Sequence, residues 1–101
     1  MITKEPMPDG EVEVIFQLPS GTADHAVVVG DFNDWSEDAA VMAHTDDGLE
    51  ATVALQQGRT YRFRYLLDGV NWVNDWQADA YADNDFSGSD SVLDLRDGPE
   101  R

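Results

Sequence analysis

Three stretches of this chain alternate apolar and polar residues with a period of two, and no stretch of ten or more keeps the period of a helix. In Glu11 to Leu18, the residues Val12, Val14, Phe16 and Leu18 take one side. Leu49, Ala51, Val53 and Leu55 do the same in the second stretch, and Tyr61, Phe63, Tyr65 and Leu67 in the third. Side chains two apart share a face only in a strand, so each stretch predicts a strand with one buried face. Ala26 to Val29 is nearly all apolar and reads as a central strand. Val41-Met42-Ala43 reads as a short edge strand, Asn71 to Trp76 as a short return, and Ser91 to Leu95 as the last strand. Pro19-Ser20-Gly21, Asp46-Asp47-Gly48, Gln56-Gln57-Gly58 and Asp68-Gly69 supply turns between them. Residues 1–10 read as a loose arm, 77–91 as a long polar loop and 96–101 as a frayed tail. The one helix-like candidate is a turn at Ser36 to Ala39, with Ser36 as its cap. Short strands at fairly regular spacing predict an all-β sandwich over residues 11–95.

With 101 residues, 42% of them hydrophobic, the chain holds one domain and one modest core. It has no Cys, so disulfides and thiolate metal sites are excluded. No apolar run approaches the ~20 residues that cross a bilayer. The first residues lack the apolar segment of a signal peptide, and a cytoplasmic location is expected. The formal charge of -15 argues against nucleic acid and against anionic membranes, both of which such a surface repels. An uncharged ligand meets no such penalty. Solubility, or life in a salty cytoplasm, is the plainer reading of the acidity. Of the six basic residues, Arg59, Arg62 and Arg64 sit in one short segment, and Arg62 and Arg64 share a face. Local charge screening and a ligand-facing role are equally good readings of that pair.

The run Val27-Val28-Val29-Gly30-Asp31-Phe32-Asn33-Asp34-Trp35 drives a strand into a polar turn with an indole at its tip. Trp72 follows the strand Tyr61 to Leu67 and its Asp68-Gly69 turn. Core Trp is common in sandwiches, but both of these lie among turn residues. Aromatic faces stack on the C–H faces of pyranose rings, while neighbouring amides and carboxylates bond the hydroxyls. A binding role for the pair is therefore favoured over simple burial. Trp76 shares the parity of Trp72 amid polar neighbours and is assigned to neither core nor surface.

Asp31, Asp34, Asp68, Asp75 and Asp79 supply carboxylates, but glycoside hydrolysis needs two flanking a bond in a cleft. Turn-forming and solvated roles are the better reading for all five. His25 and His44 have no metal-ligand spacing. Residues 83–94 carry oxygen ligands at alternate positions, a Gly at the sixth and a carboxylate at the twelfth, as a calcium loop does. No helices flank that loop, it ends in Asp rather than Glu, and Val92 to Leu95 reads as strand, so the turn reading is preferred. No nucleophile with a nearby base is present, and neither an enzyme activity nor a cofactor is expected.

Four motifs then occur in order: Gly30 to Ser36, Tyr61 to Gly69, Trp72 to Asp75, and Phe86 to Val92. Together they resemble the isoamylase-type early-set domain, or carbohydrate-binding module family 48. The chain is similar to the glycogen-binding domain of the AMP-activated protein kinase β subunit and to small stand-alone early-set proteins of prokaryotes. The resemblance implies an immunoglobulin-like β-sandwich that binds α-glucan without catalysis. By that resemblance Trp35 and Trp72 stack on glucose units, and Arg64 stands where the family has a Lys. Phe86 stands for a Leu that enters the ring of a cyclic glucan, and Asp90 for an Asn. Asn33 and Asn74 are added as hydroxyl-binding amides. An extra residue in Asp68 to Trp72 lengthens the turn before the second Trp. The implied ligands are glycogen, starch, maltooligosaccharides and cyclodextrin, and a glycogen-metabolising enzyme is the implied protein partner. Family domains often precede the barrels of family 13 glycoside hydrolases. The alternative is an adaptor domain, its sugar binding weakened or lost, which buries Trp35 or Trp72 against a partner.

Overall fold

The computed structural model describes residues 2–75, 78–83 and 88–96. Its strands are β1 (Ile2–Pro6), β2 (Glu11–Pro19), β3 (Ala26–Gly30), β4 (Ala40–Val41) and β5 (Ala43–Thr45), followed by β6 (Gly48–Gln56), β7 (Thr60–Leu67), β8 (Asn71–Val73), β9 (Ala80–Asp83) and β10 (Ser89–Asp94). They form two antiparallel sheets. One has the order β1-β2-β6-β5, the other β4-β3-β7-β10-β9, with β8 pairing the far end of β7. The all-β sandwich expected from the alternation is the fold observed.

The first sheet rests on the β2–β6 ladder, which runs unbroken from Glu11 opposite Gln56 to Pro19 opposite Gly48. The predicted faces hold: Val12, Val14, Phe16, Leu18, Leu49, Ala51 and Leu55 are buried, and Val53 packs against them. In the second sheet Tyr61, Phe63, Tyr65 and Leu67 of β7 face them, with Ala26, Val28 and Leu93. Phe16 lies at the centre. Its ring meets Phe63 edge-on at 5.2 Å and stacks on Phe32 at 5.9 Å. Such aromatic pairs add about 0.5–1.5 kcal/mol each beyond their burial.

Three local expectations are corrected. Ile2–Pro6 lies in the expected loose arm but pairs with β2, Ile2 opposite Phe16 and Pro6 opposite Val12. This segment has no alternation of its own, and the open edge of β2 makes it a strand. Val41-Met42-Ala43 is not one strand. Met42 is buried, donates its N–H to the Ala26 carbonyl at 2.9 Å, and marks the crossing from β4 in one sheet to β5 in the other. The expected loop 77–91 contains β9 and the start of β10, which form a hairpin. The expected turn after Ser36 is present at Glu37 and Asp38, and Ser36 Oγ accepts the Asp38 N–H. The helical turn among the described residues is a 3-10 turn at Asp31–Asn33. Residues 97–101 of the expected tail lie outside the described residues.

The outer face of the second sheet is not simply solvated. Val27, Val29 and Leu66 form a second buried cluster there, apart from the main core. This accounts for the unbroken apolar run in β3, which is buried on both sides. In register, Val41 flanks Val27 on one side of this row, and Trp72 flanks Leu66 on the other.

Candidate functional site

The turn after β3 is built to present Trp35. Gly30 is extended, and a Cβ there would stand 2.4 Å from the Arg62 carbonyl and 2.8 Å from the Phe63 Cβ. Only glycine allows β7 to approach so closely. Asn33 closes the turn with its amide, accepting from the Gly30 N–H at 3.1 Å and donating to the Val28 carbonyl at 3.0 Å. Phe32 turns inward onto Phe16 and Tyr61. Asp34 and Trp35 then both adopt positive φ, 56° and 58°, which is strained for a bulky residue such as Trp. The Trp35 N–H reaches back to the Gly30 carbonyl at 2.9 Å. The indole is left 38% exposed. Its Nε1–H donates to Asp31 Oδ1 at 3.2 Å, while Asp31 Oδ2 accepts the Arg62 backbone N–H at 2.8 Å. One carboxylate thus pins the indole to β7.

Trp72 is carried by β8, opposite Leu66, and is 42% exposed. Leu66, Arg64 and Arg62 alternate with the core residues of β7, so they share the outer face with Trp72. The anchor points of the two indoles, Arg62 and Leu66, are four residues apart, or about 13 Å along the strand. Between them lies a polar cluster. Arg64 Nη2 donates to the Ser89 carbonyl at 2.7 Å, and its Nε pairs with Asp90 Oδ1 at 3.0 Å. Arg62 Nη1 stands 3.6 Å from Asp90 Oδ2. Asn74 Nδ2 donates to the same Ser89 carbonyl at 2.8 Å, and its Oδ1 accepts from the Ser91 hydroxyl at 2.9 Å.

Trp35, Trp72, Arg64, Asn74 and Asp90 are therefore grouped along β7 by the fold. The roles of two expected hydroxyl-binders read differently in place. Asp90 is buried and held between two guanidinium groups. Asn33 has both ends of its amide on turn backbone. Each acts first as a support. Arg62 and Arg64 screen a specific carboxylate, and a quarter of the Arg64 side chain still meets solvent. Phe86 and Trp76 lie outside the described residues.

The carboxylates divide as the turn reading expects, with one exception. Asp68 Oδ1 accepts the N–H groups of Asp24 and His25. Asp79 Oδ2 pairs with Lys4 and accepts the Asp94 N–H. Exposed Asp94 is lowered to about 2 by hydrogen bonds from the Arg96 side chain and backbone. Asp75 is the exception. It is 1% exposed, accepts the Tyr65 hydroxyl at 2.6 Å, and takes its place through Ser91 and Tyr81. Burial, and next the Asp75 carboxylate, push the Tyr65 hydroxyl well above its usual range. His44 Nε2 lies 2.8 Å from the Asp24 carbonyl. Among the described residues no group of three His, Asp or Glu gathers as a metal site would require. The contribution of Asp31 to Trp35 was not foreseen, although its place four residues ahead of the indole was a usable signal. The Ser89 carbonyl left none, because a backbone acceptor is invisible in sequence.

A family model, carbohydrate-binding module 48 (isoamylase N-terminal domain), matches residues 4–82. The chain belongs to this carbohydrate-binding family. The match takes in both Trp turns, β7 and Asn74, and stops before β10, which supplies Ser89 and Asp90. Comparison with curated proteins gave no match. Modules of family 48 are typically non-catalytic carbohydrate binders, and the two-sheet sandwich is the architecture expected of them.

Proposed function

We propose that this family 48 module binds α-glucan chains of the glycogen or starch type along the outer face of β7. The observation that carries the reading is the pair of half-exposed indoles, Trp35 and Trp72, set at opposite ends of one strand. The span between their anchors suits several linked pyranose rings, each indole stacking on one ring face. Arg64 lies between them. Its five N–H groups exceed what Ser89 and Asp90 take up, so it can still donate to sugar hydroxyls. Asn74 stands beside it. Binding is weak, because a shallow, wet site recovers little energy after desolvation and ordering of the chain.

A second reading has its own support. Asp90 and Asn33 are tied to protein groups, and Arg64 and Asn74 share one carbonyl acceptor. That economy of donors fits a domain with weakened sugar binding, used as an adaptor for a glycogen-metabolising enzyme. Calorimetric titration with β-cyclodextrin and maltoheptaose separates the two. Saturable heat in the wild type that vanishes in a folded Trp35→Ala, Trp72→Ala variant supports the glucan site. Absence of saturable heat at millimolar ligand favours the adaptor.

A further inference from the structure

Beyond Glu50 the β6 edge of the first sheet is paired with no described strand, and it faces a groove that extends to the turn after β3 and to β4. Beyond both ends of the β2–β6 ladder, Ser20 donates to the Asp47 carbonyl and Gln57 to the Gly10 carbonyl. These bonds set the phase of the ladder. Antiparallel pairs alternate between bonded and non-bonded, so Ala51, Val53 and Leu55 turn their backbone groups toward β2. Glu50, Thr52 and Ala54 turn theirs the other way. The neighbouring strand β5 reaches only as far as Ala43 opposite Glu50, because the chain crosses to the other sheet at Met42. The N–H and C=O groups of Thr52 and Ala54 therefore face a groove of about 560 Å³, lined also by Phe32, Asn33, Ala40, Val41, Ala43 and Glu50.

Exposed edges are ordinarily blunted by Lys, Pro or a bulge. This one carries small residues, and among the described strands none pairs with Thr52 or Ala54 on this side. Its charge is negative: Glu50 lines the groove, no Lys or Arg does, and the chain has no Lys or Arg between Lys4 and Arg59. A second copy of a chain with net charge -15 is repelled from such an edge.

We propose that the β6 edge is a docking site for an extended, basic segment of a partner protein, which adds a strand in the line of β5. Strand addition draws affinity from main-chain hydrogen bonds and selectivity from alternate side chains. The alanine-lined groove takes small or apolar side chains on the inward side, and Lys or Arg on the outward side meets Glu50 and the net negative charge of the chain. This inference does not rest on glucan binding, whose proposed stacking residues, Trp35 and Trp72, do not line the groove.

The probe is a short capped peptide of alternating lysine and valine, followed by amide hydrogen exchange and titration. Two controls carry glutamate for lysine, or methylated nitrogens in place of the N–H donors. In the free protein the Thr52 and Ala54 amides exchange rapidly, and saturating probe slows them by at least about tenfold, as a bonded strand amide requires. Thr52→Pro is compatible with an edge position whose N–H faces outward, and losing that one donor weakens the probe by about 3- to 10-fold. Thr52→Lys keeps every backbone group, tests the charge alone, and also weakens it. The inference is overturned if the methylated peptide binds as well as the probe, or if binding leaves both amides unprotected. It is equally overturned if the free protein is a dimer in which those amides are already slow.

Discussion

At the residue scale, positive φ at two aspartates has opposite meanings. Asp34 adopts φ 56° with no side-chain bond of its own among those described, and Asp68 adopts φ 52° while bonding two N–H groups. Asp34→Gly relieves a left-handed conformation and is expected to be neutral or to stabilise by about 0.5 kcal/mol. Asp68→Gly relieves the same strain but frees the Asp24 and His25 amides, and is expected to destabilise by about 1 kcal/mol. Urea unfolding of both variants checks the contrast. Asp31 is the residue that links the turn to the proposed site. With Asp31→Ala the indole loses its Nε1 partner and its link to β7. Cyclodextrin affinity is expected to fall by about 5-fold, in line with one lost hydrogen bond. An unchanged affinity in titration would remove Asp31 from the site. The Gly-Asp-Phe-Asn run announced a turn, and Trp35 at its tip was legible. The pairing of one carboxylate with both the indole and β7 was not, since Arg62 lies 31 positions away.

At the element scale, Asn74 and Asp75, which follow β8, are tied to β7 and β10 by polar groups. Tyr65 projects into the core and ends on the buried Asp75. Tyr65→Phe leaves that carboxylate with one donor fewer and is expected to destabilise by about 1–3 kcal/mol. The pH dependence has a definite sign. The folded hydroxyl has a pKa raised above that of an unfolded Tyr, near 10, so its contribution is complete below pH 10. It is lost as pH rises further, because only the unfolded chain can release the proton. Unfolding free energy above pH 10 is expected to fall more steeply in the wild type than in Tyr65→Phe, by up to about 1.4 kcal/mol per pH unit. Parallel slopes in denaturant titrations would disprove it. Alternation located Tyr65 on the inward face. It could not show that a turn carboxylate ten residues later follows it inside.

At the scale of the molecule, the acidity and the ligand are independent. A neutral glucan stacked on indoles gains nothing from net charge, so its affinity is expected to change by less than about twofold as salt screens the surface. A steep salt dependence in calorimetry would count against the proposed ligand. A basic peptide at the β6 edge must show that steep dependence, so one salt series distinguishes the two faces. Membership of family 48 and the β-sandwich both follow from features spread over most of the chain.

Alternation in β2, β6 and β7, together with turn chemistry between them, was enough to determine an all-β sandwich and its inward residues. Those signals are local: each strand face is written in residues two apart, and each turn in its own few residues. The tertiary structure alone decided that Ile2–Pro6 joins a sheet, that Met42 splits one strand into two, and that Asp75 is buried. It alone also set Asp90 between Arg62 and Arg64 and left the β6 edge open beyond Glu50. Each of these depends on a backbone group or a charge supplied from far along the chain, and no local pattern in the residues themselves encodes that partner.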